Sequence, residues 1–188
     1  MNAVVKYVLM AFTAFLSANA SYGQRISVST DLLGYLDFAT LNAEASYAVS
    51  RHWSVAASVR YNPWTFNKDK PGKQLQDRQQ SYAAGARYWL WHTYSGWWFS
   101  GKLQYQEYNT GGLPDPSTEE GDRFGIGAGA GYTYMLHPHL NIEFGIGLWG
   151  GYGRYVYYSC PSCGLTTEKG EGAFLLPNDV MISLSYVF

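Results

Sequence analysis

The chain has 188 residues; 18% are aromatic (17 Tyr, 9 Phe, 7 Trp) and only 14% are charged. Its 13 basic and 14 acidic residues leave no cationic surface for nucleic acid, and an apolar content of 47% excludes a disordered polymer. A mean hydropathy of −0.21 is too low for a bundle of membrane helices.

Residues 1–23 read as a secretory signal peptide. Lys6 supplies a short positive region, residues 7–16 an apolar one, and Ala18-Asn19-Ala20 and Ser21-Tyr22-Gly23 the small residues for cleavage after Ala20 or Gly23. The apolar stretch is shorter than the roughly 20 residues of a membrane helix. The mature domain is then 24–188, and both cysteines enter an oxidising compartment.

From Arg25 onward apolar residues recur at every second position, the period of a strand. Eight strands are expected, near 25–34, 39–49, 52–61, 80–90, 97–108, 122–134, 139–152 and 174–188. In the second, Leu41, Ala43, Ala45, Tyr47 and Val49 oppose Asn42, Glu44, Ser46 and Ala48; in the third, Trp53, Val55, Ala57, Val59 and Tyr61 oppose Ser54, Ala56, Ser58 and Arg60. Residues 124–142 carry no Asp, Glu, Lys or Arg, but Gly125, Gly127, Gly129 and Gly131 would each weaken a helix by about 1 kcal/mol. On a strand the same glycines empty one face for a crowded interior. Gly145 to Gly150 (GIGLWG) matches the G-x-G-x-x-G dinucleotide pattern by letter, without the helix that pattern requires. It reads as strand, with Trp149 turned inward.

The connections alternate. Those at 50–51, 91–96 and 136–138 are short, whereas 62–79, 109–121 and 153–173 are long and polar; 35–38 is the exception. This is the pattern of an outer-membrane barrel, with short periplasmic turns and long extracellular loops. The apolar faces are flanked by aromatics: Tyr47, Trp53, Tyr88, Trp97, Tyr134, Tyr186 and Phe188 near the short turns, and Tyr61, Tyr82, Tyr105, Phe124 and Tyr152 near the long loops. Two such girdles point to a bilayer, and a sheet in lipid must close because open edges cannot be satisfied there. The expected fold class is all-β: an eight-stranded antiparallel transmembrane β-barrel of outer-membrane type, with a soluble lipocalin-like barrel as the alternative. The terminal strand ends on Phe188 with Tyr186, Leu184 and Ile182 on the same face. It resembles the C-terminal signature of outer-membrane barrels, which implies the barrel-assembly machinery as a partner during biogenesis and outer-membrane lipid thereafter.

With the aromatic faces outward, Glu44, Arg60, Arg87, Lys102 and Glu143 point into the lumen, and Asp31, Arg123 and Asp179 lie nearer its rims. Charges there are expected to pair and plug the bore, since an unpaired buried charge is very costly. The alternative is a proton or ion path. Cys160-Pro161-Ser162-Cys163-Gly164 has three readings: a loop-stapling disulfide between Cys160 and Cys163, half a zinc site, or a redox pair. His52, His92, His137 and His139 all fall at or beside short turns, too far from the long loops to serve the Cys pair or an outer-leaflet hydrolase.

Tyr61-Asn62-Pro63-Trp64-Thr65-Phe66 (YNPWTF) after Arg51-His52-Trp53-Ser54, Arg87-Tyr88-Trp89 before Gly96-Trp97-Trp98, and the late Cys160-Pro161-Ser162-Cys163-Gly164 are familiar strings. On these the mature chain resembles an uncharacterised family of small outer-membrane barrels of gut-type Gram-negative bacteria, the domain of unknown function three-five-seven-five. Some members are encoded near fimbrial assembly genes, so the resemblance implies an envelope role and a surface or fimbrial protein partner. It supplies no catalytic residue. No catalytic, cofactor-binding or metal site is expected, and the expected role is a non-enzymatic surface anchor or interaction protein. A small-ligand or narrow-pore barrel is the second reading and an outer-leaflet lipid-modifying enzyme the third. Asn62, Trp64, Phe66, Tyr108, Asn109, Tyr155 and Tyr157, near the long loops, are the expected contact surface.

Overall fold

The computed structural model describes residues 24–67, 74–112, 117–159 and 166–188. Nine strands are present: β1 (Ile26–Asp31), β2 (Leu41–Ala48), β3 (Trp53–Asn62), β4 (Thr65–Phe66), β5 (Leu75–Trp89), β6 (Gly96–Gly111), β7 (Thr118–His137), β8 (Leu140–Tyr158) and β9 (Thr166–Val187). All pairings are antiparallel, in the order β3-β2-β1-β9-β8-β7-β6-β5-β4. Pairing of β3 with β5 joins the ends of that order, so the sheet closes on itself. The two-residue β4 only continues the course of β3 along the start of β5. The wall is therefore an eight-stranded barrel, and no helix occurs among the described residues.

Strand alternation decides which residues enter the bore. On β3 Ser54 is buried while Trp53, Val55, Ala57, Val59 and Tyr61 are exposed; on β9 Met181, Ser183, Ser185 and Val187 are buried while Leu184 and Tyr186 are exposed. The apolar face is thus the outer one, with Ile126 at 68% and Ile146 at 66% exposure among its most open positions. A register shift between Gly145 and Gly147 against β9 lets Asn178 and Met181 both face inward.

The wall is uneven in height. β1, β2 and β3 have 6, 8 and 10 residues, whereas β5 to β9 have 15, 16, 20, 19 and 22. Much of what reads as loop at 109–121 and 153–173 is continuous hairpin, with Gly111 paired to Thr118 and Tyr158 to Thr166. The reason is local. Tyr155, Val156, Tyr157 and Tyr158 favour extended backbone, and Gly170 opposite Tyr155 leaves space for its ring. The remainder of the long connections, at 68–73, 113–116 and 160–165, lies outside the described residues. So do Cys160, Cys163 and the expected signal peptide 1–23.

Glycine in β7 is what allows this sheet to hold large side chains inside. A Cβ on Gly131 would lie 2.3 Å from Cζ2 of Trp98 and 2.2 Å from the Phe144 carbonyl oxygen, whereas a Cβ on the outward Gly101 meets nothing within 4 Å. Gly131→Ala is expected to destabilise the barrel by about 1–3 kcal/mol or stop it closing, and Gly101→Ala to be neutral. Heat-modifiable gel mobility of refolded protein checks this; equal folding of the two variants would contradict it.

Candidate functional site

The short-turn end of the bore is sealed by an aromatic cluster. Trp89, Trp98, Tyr94, Ala48, Met181 and Val187 pack together there. Tyr94 comes from the turn between β5 and β6, and its backbone adopts a φ of 65°, a left-handed conformation that a bulky residue rarely holds. Its ring meets Trp89 edge-on at 5.7 Å, its hydroxyl donates to the Arg25 carbonyl at 3.0 Å, and its own carbonyl accepts from Asn141 Nδ2 at 3.0 Å. Trp89 Nε1 donates to Ser54 Oγ at 2.9 Å. Tyr94 and Trp89 are each anchored by a polar handle as well as by packing, and Trp98 is held by packing alone.

The charge network sits beyond that stopper. Arg87 enters from β5, Glu44 from β2 and Glu143 from β8, three strands that are not sequence neighbours. Arg87 Nη2 lies 2.6 Å from Glu44 Oε1 and Nη1 lies 3.0 Å from Glu143 Oε2, with side-chain exposures of 9%, 24% and 2% respectively for Arg87, Glu44 and Glu143. The guanidinium also lies over the Trp98 ring at 4.6 Å. One fork-shaped cation thus clamps two carboxylates across the bore, the geometry for which arginine is suited. Nearby, Arg60 Nη2 is 3.7 Å from Asp31 Oδ2. Lys102 borders two small cavities of about 30 and 40 Å³ that also touch Glu44, Arg87 and Met181. Each has room for a few waters at most.

Toward the tall hairpins the filling continues. Asn178 Nδ2 donates to Gln104 Oε1 at 2.9 Å, Trp149 meets Phe174 edge-on at 4.7 Å, and Arg123 lies over the Tyr108 ring at 3.9 Å. Arg123 Nη2 and the Tyr108 hydroxyl both donate to Glu119 Oε1, at 3.3 and 2.5 Å. At the hairpin end, burial and the neighbouring Asp37 push the Asp77 carboxyl above the usual aspartate range, and Gln79 Nε2 donates to both acids at 3.1–3.2 Å and pulls the other way.

The five lumen residues read from the sequence all occur on inward positions. The structure links Glu44, Arg87 and Glu143 directly, sets Arg60 on Asp31, and places Lys102 beside the same cavities. Of the seven expected contact residues, two are buried, and Tyr155 and Tyr157 share the face of β8 that carries Trp149. Tyr108 is 6% exposed, and Asn62 is 1% exposed, donating to Thr40 Oγ1 at 3.0 Å and accepting from the Trp64 amide at 3.0 Å. Asn62 shapes the turn that presents Trp64 and Phe66, a local use of Asn that strand alternation alone does not reveal. Trp64 and Phe66 are exposed, Asn109 donates to Glu120 at 2.8 Å, and Tyr155 and Tyr157 pack on each other at 5.3 Å. The histidines stay at the turns, with His52 Nδ1 at 2.9 Å from the Trp89 carbonyl and His139 Nδ1 at 2.8 Å from that of Val187. Tyr94 and Trp98 were not evident as functional residues; the turn position of Tyr94 carries no strand pattern to betray its inward ring.

A family model described as "Protein of unknown function (DUF3575)" matches residues 7–188. The chain belongs to this family. The resemblance carried by YNPWTF and the strings around it therefore holds over nearly the whole length. No curated protein matches the chain. DUF3575 membership adds no reaction to the geometry, so the interior clamp stands as the built feature of this barrel.

Removing Arg87 would take away the cation that bridges Glu44 and Glu143. Arg87→Met should cost about 3–5 kcal/mol, and the combined Glu44→Gln, Arg87→Met, Glu143→Gln variant should regain most of it. Urea unfolding in detergent, followed by tryptophan fluorescence, measures both; an unchanged midpoint for Arg87→Met would contradict a clamp that holds the wall together.

Proposed function

We propose that this DUF3575 protein is an integral outer-membrane β-barrel, exported by the signal segment 1–23, whose lumen is plugged and whose tall hairpins face the cell exterior. It is a non-enzymatic surface anchor or interaction protein. The observation that carries this reading is the outer wall. Residues 53–61, 97–105 and 144–152 each run nine residues from one exposed or girdle aromatic to the next, with exposed Val55, Val59, Leu103, Ile146 and Leu148 between them. That is the span a tilted strand needs to cross a hydrocarbon core. An apolar belt of this extent on a water-soluble protein would be an aggregation surface. The opposite polarity, with charges paired inside and apolar groups outside, suits lipid.

The orientation follows from the rims. Both ends of the described barrel lie at the short-turn rim, where the Arg25 amide donates to the Phe188 carbonyl at 3.1 Å. Short turns belong on the periplasmic side and the tall hairpins outside. A fimbrial or other envelope protein is the partner that the family resemblance brings to those hairpins, and the exposed Trp64 and Phe66, with the half-buried Asn109, Tyr155 and Tyr157, are where it would dock.

The sealed bore separates this reading from the narrow-pore one. The aromatic stopper, the Arg87 clamp and the Arg123–Tyr108–Glu119 group lie one after another along the axis. In planar bilayers the purified protein should show no steady conductance, and sustained openings of hundreds of picosiemens would contradict the plug.

A further inference from the structure

One sizeable cavity among the described residues lies outside the bore. It is an open cleft of about 590 Å³ on the outer wall, and the cross-strand register shows how it is placed. On the outward face Tyr82, Tyr105, Phe124 and Tyr152 are successive partners across β5, β6, β7 and β8, forming one aromatic rung. Two residues further along each strand the same face carries Gln80, Glu107, Asp122 and Arg154, again successive partners. All four line the cleft, with Arg78 and Tyr105. The wall therefore changes from fully aromatic to fully polar within about 7 Å, the rise of two strand residues.

That polar rung is costly to build. Glu107 and Asp122 sit directly opposite each other, and like charges in that relation destabilise a sheet. Arg154 lies beyond Asp122 but leans toward Glu171, with Nε 3.5 Å from Oε2. The Tyr105 hydroxyl donates to Glu107 at 2.8 Å, tying the aromatic rung to the polar one. A local conflict of this kind, set in a concavity of ligand size, marks a site selected for something other than stability.

We propose that this cleft seats the sugar headgroup of an outer-leaflet glycolipid. The inference rests on the membrane reading above, which puts the aromatic rung at the hydrocarbon boundary and the polar rung at headgroup height. The two carboxylates are bidentate acceptors and the arginines and Gln80 are bidentate donors. Together they complement neighbouring hydroxyls on a sugar ring and any phosphate attached to it, while the tyrosines offer apolar surface to its C–H face. The lining residues Gln80, Glu107, Asp122 and Arg154 lie on the outward face, where a lipid of the same leaflet would meet them. A shallow open site of this kind is weak toward a free sugar but effective toward one confined to the membrane plane.

The test uses the full chain reconstituted with equal amounts of rough-type lipopolysaccharide and phosphatidylglycerol, released in mild detergent and weighed by native mass spectrometry. Folding is scored separately by heat-modifiable mobility and by urea-resistant membrane recovery. The wild type should keep lipopolysaccharide in preference to phosphatidylglycerol, and the folded Asp122→Asn, Arg154→Gln double variant should keep about tenfold less. Delipidated core oligosaccharide in excess should compete poorly. A membrane-inserted wild type with no lipid preference, or a double variant that retains as much, overturns the site and leaves the membrane reading intact. Full displacement by the free oligosaccharide overturns the lipid source, and a protein recovered as soluble overturns both readings together.

Discussion

An eight-stranded barrel has a bore just wide enough for its own side chains, and every other feature of this protein adjusts to that limit. The inward faces must add up to the available volume, so bulky and empty positions alternate around the axis. Trp98 fits because Gly131 and Gly145 face it without side chains, and Trp149 packs on Phe174 where glycines of β8 flank it. A charge placed in this space has no bulk water to turn to, so it needs partners within reach. Arg87 meets that demand with Glu44 from β2 and Glu143 from β8, and in doing so ties well-separated parts of the wall together.

The consequence is a division of labour by height and by face. The short-turn end is stoppered by Tyr94 and the two tryptophans, the middle by the arginine clamp, and the far end by Arg123 with Tyr108 and Glu119. Beside the clamp the free space shrinks to cavities of water size, and only at the hairpin end, against Asp77, Glu119 and Tyr157, does it widen to about 390 Å³. In the proposed reading, function belongs to the surfaces that the plug leaves free: the hairpin ends and the polar rung of the outer wall. The barrel is then a rigid post in the membrane, and its work is done by what it presents outside.

The two-residue period was enough to read the eight strands, their faces and the five inward charges, because each strand of one face buried and one face open writes its own pattern. The partners of those charges were not legible. Arg87 and Glu143 are 56 positions apart, and only closure of the sheet brings their strands to opposite sides of one narrow space. The tall hairpins were hidden for a different reason: Gly, Glu and Tyr in 153–173 look like loop composition, and their extended form comes from cross-strand pairing of Tyr155 with Gly170. Tyr94 and Asn62 escaped because turns have no period, and their roles depend on a positive φ and a side-chain hydrogen bond.

The central claim is that the outer wall faces hydrocarbon while the inner wall faces only itself. A nitroxide attached at Ile126→Cys, in a chain whose Cys160 and Cys163 are replaced by Ser, reports that environment directly in reconstituted bilayers by power-saturation spin resonance. Ile126 lies on the outward face at 68% exposure. The account predicts strong relaxation by dissolved oxygen and almost none by a water-soluble nickel chelate. Equal or greater relaxation by nickel would place that wall in water and contradict it.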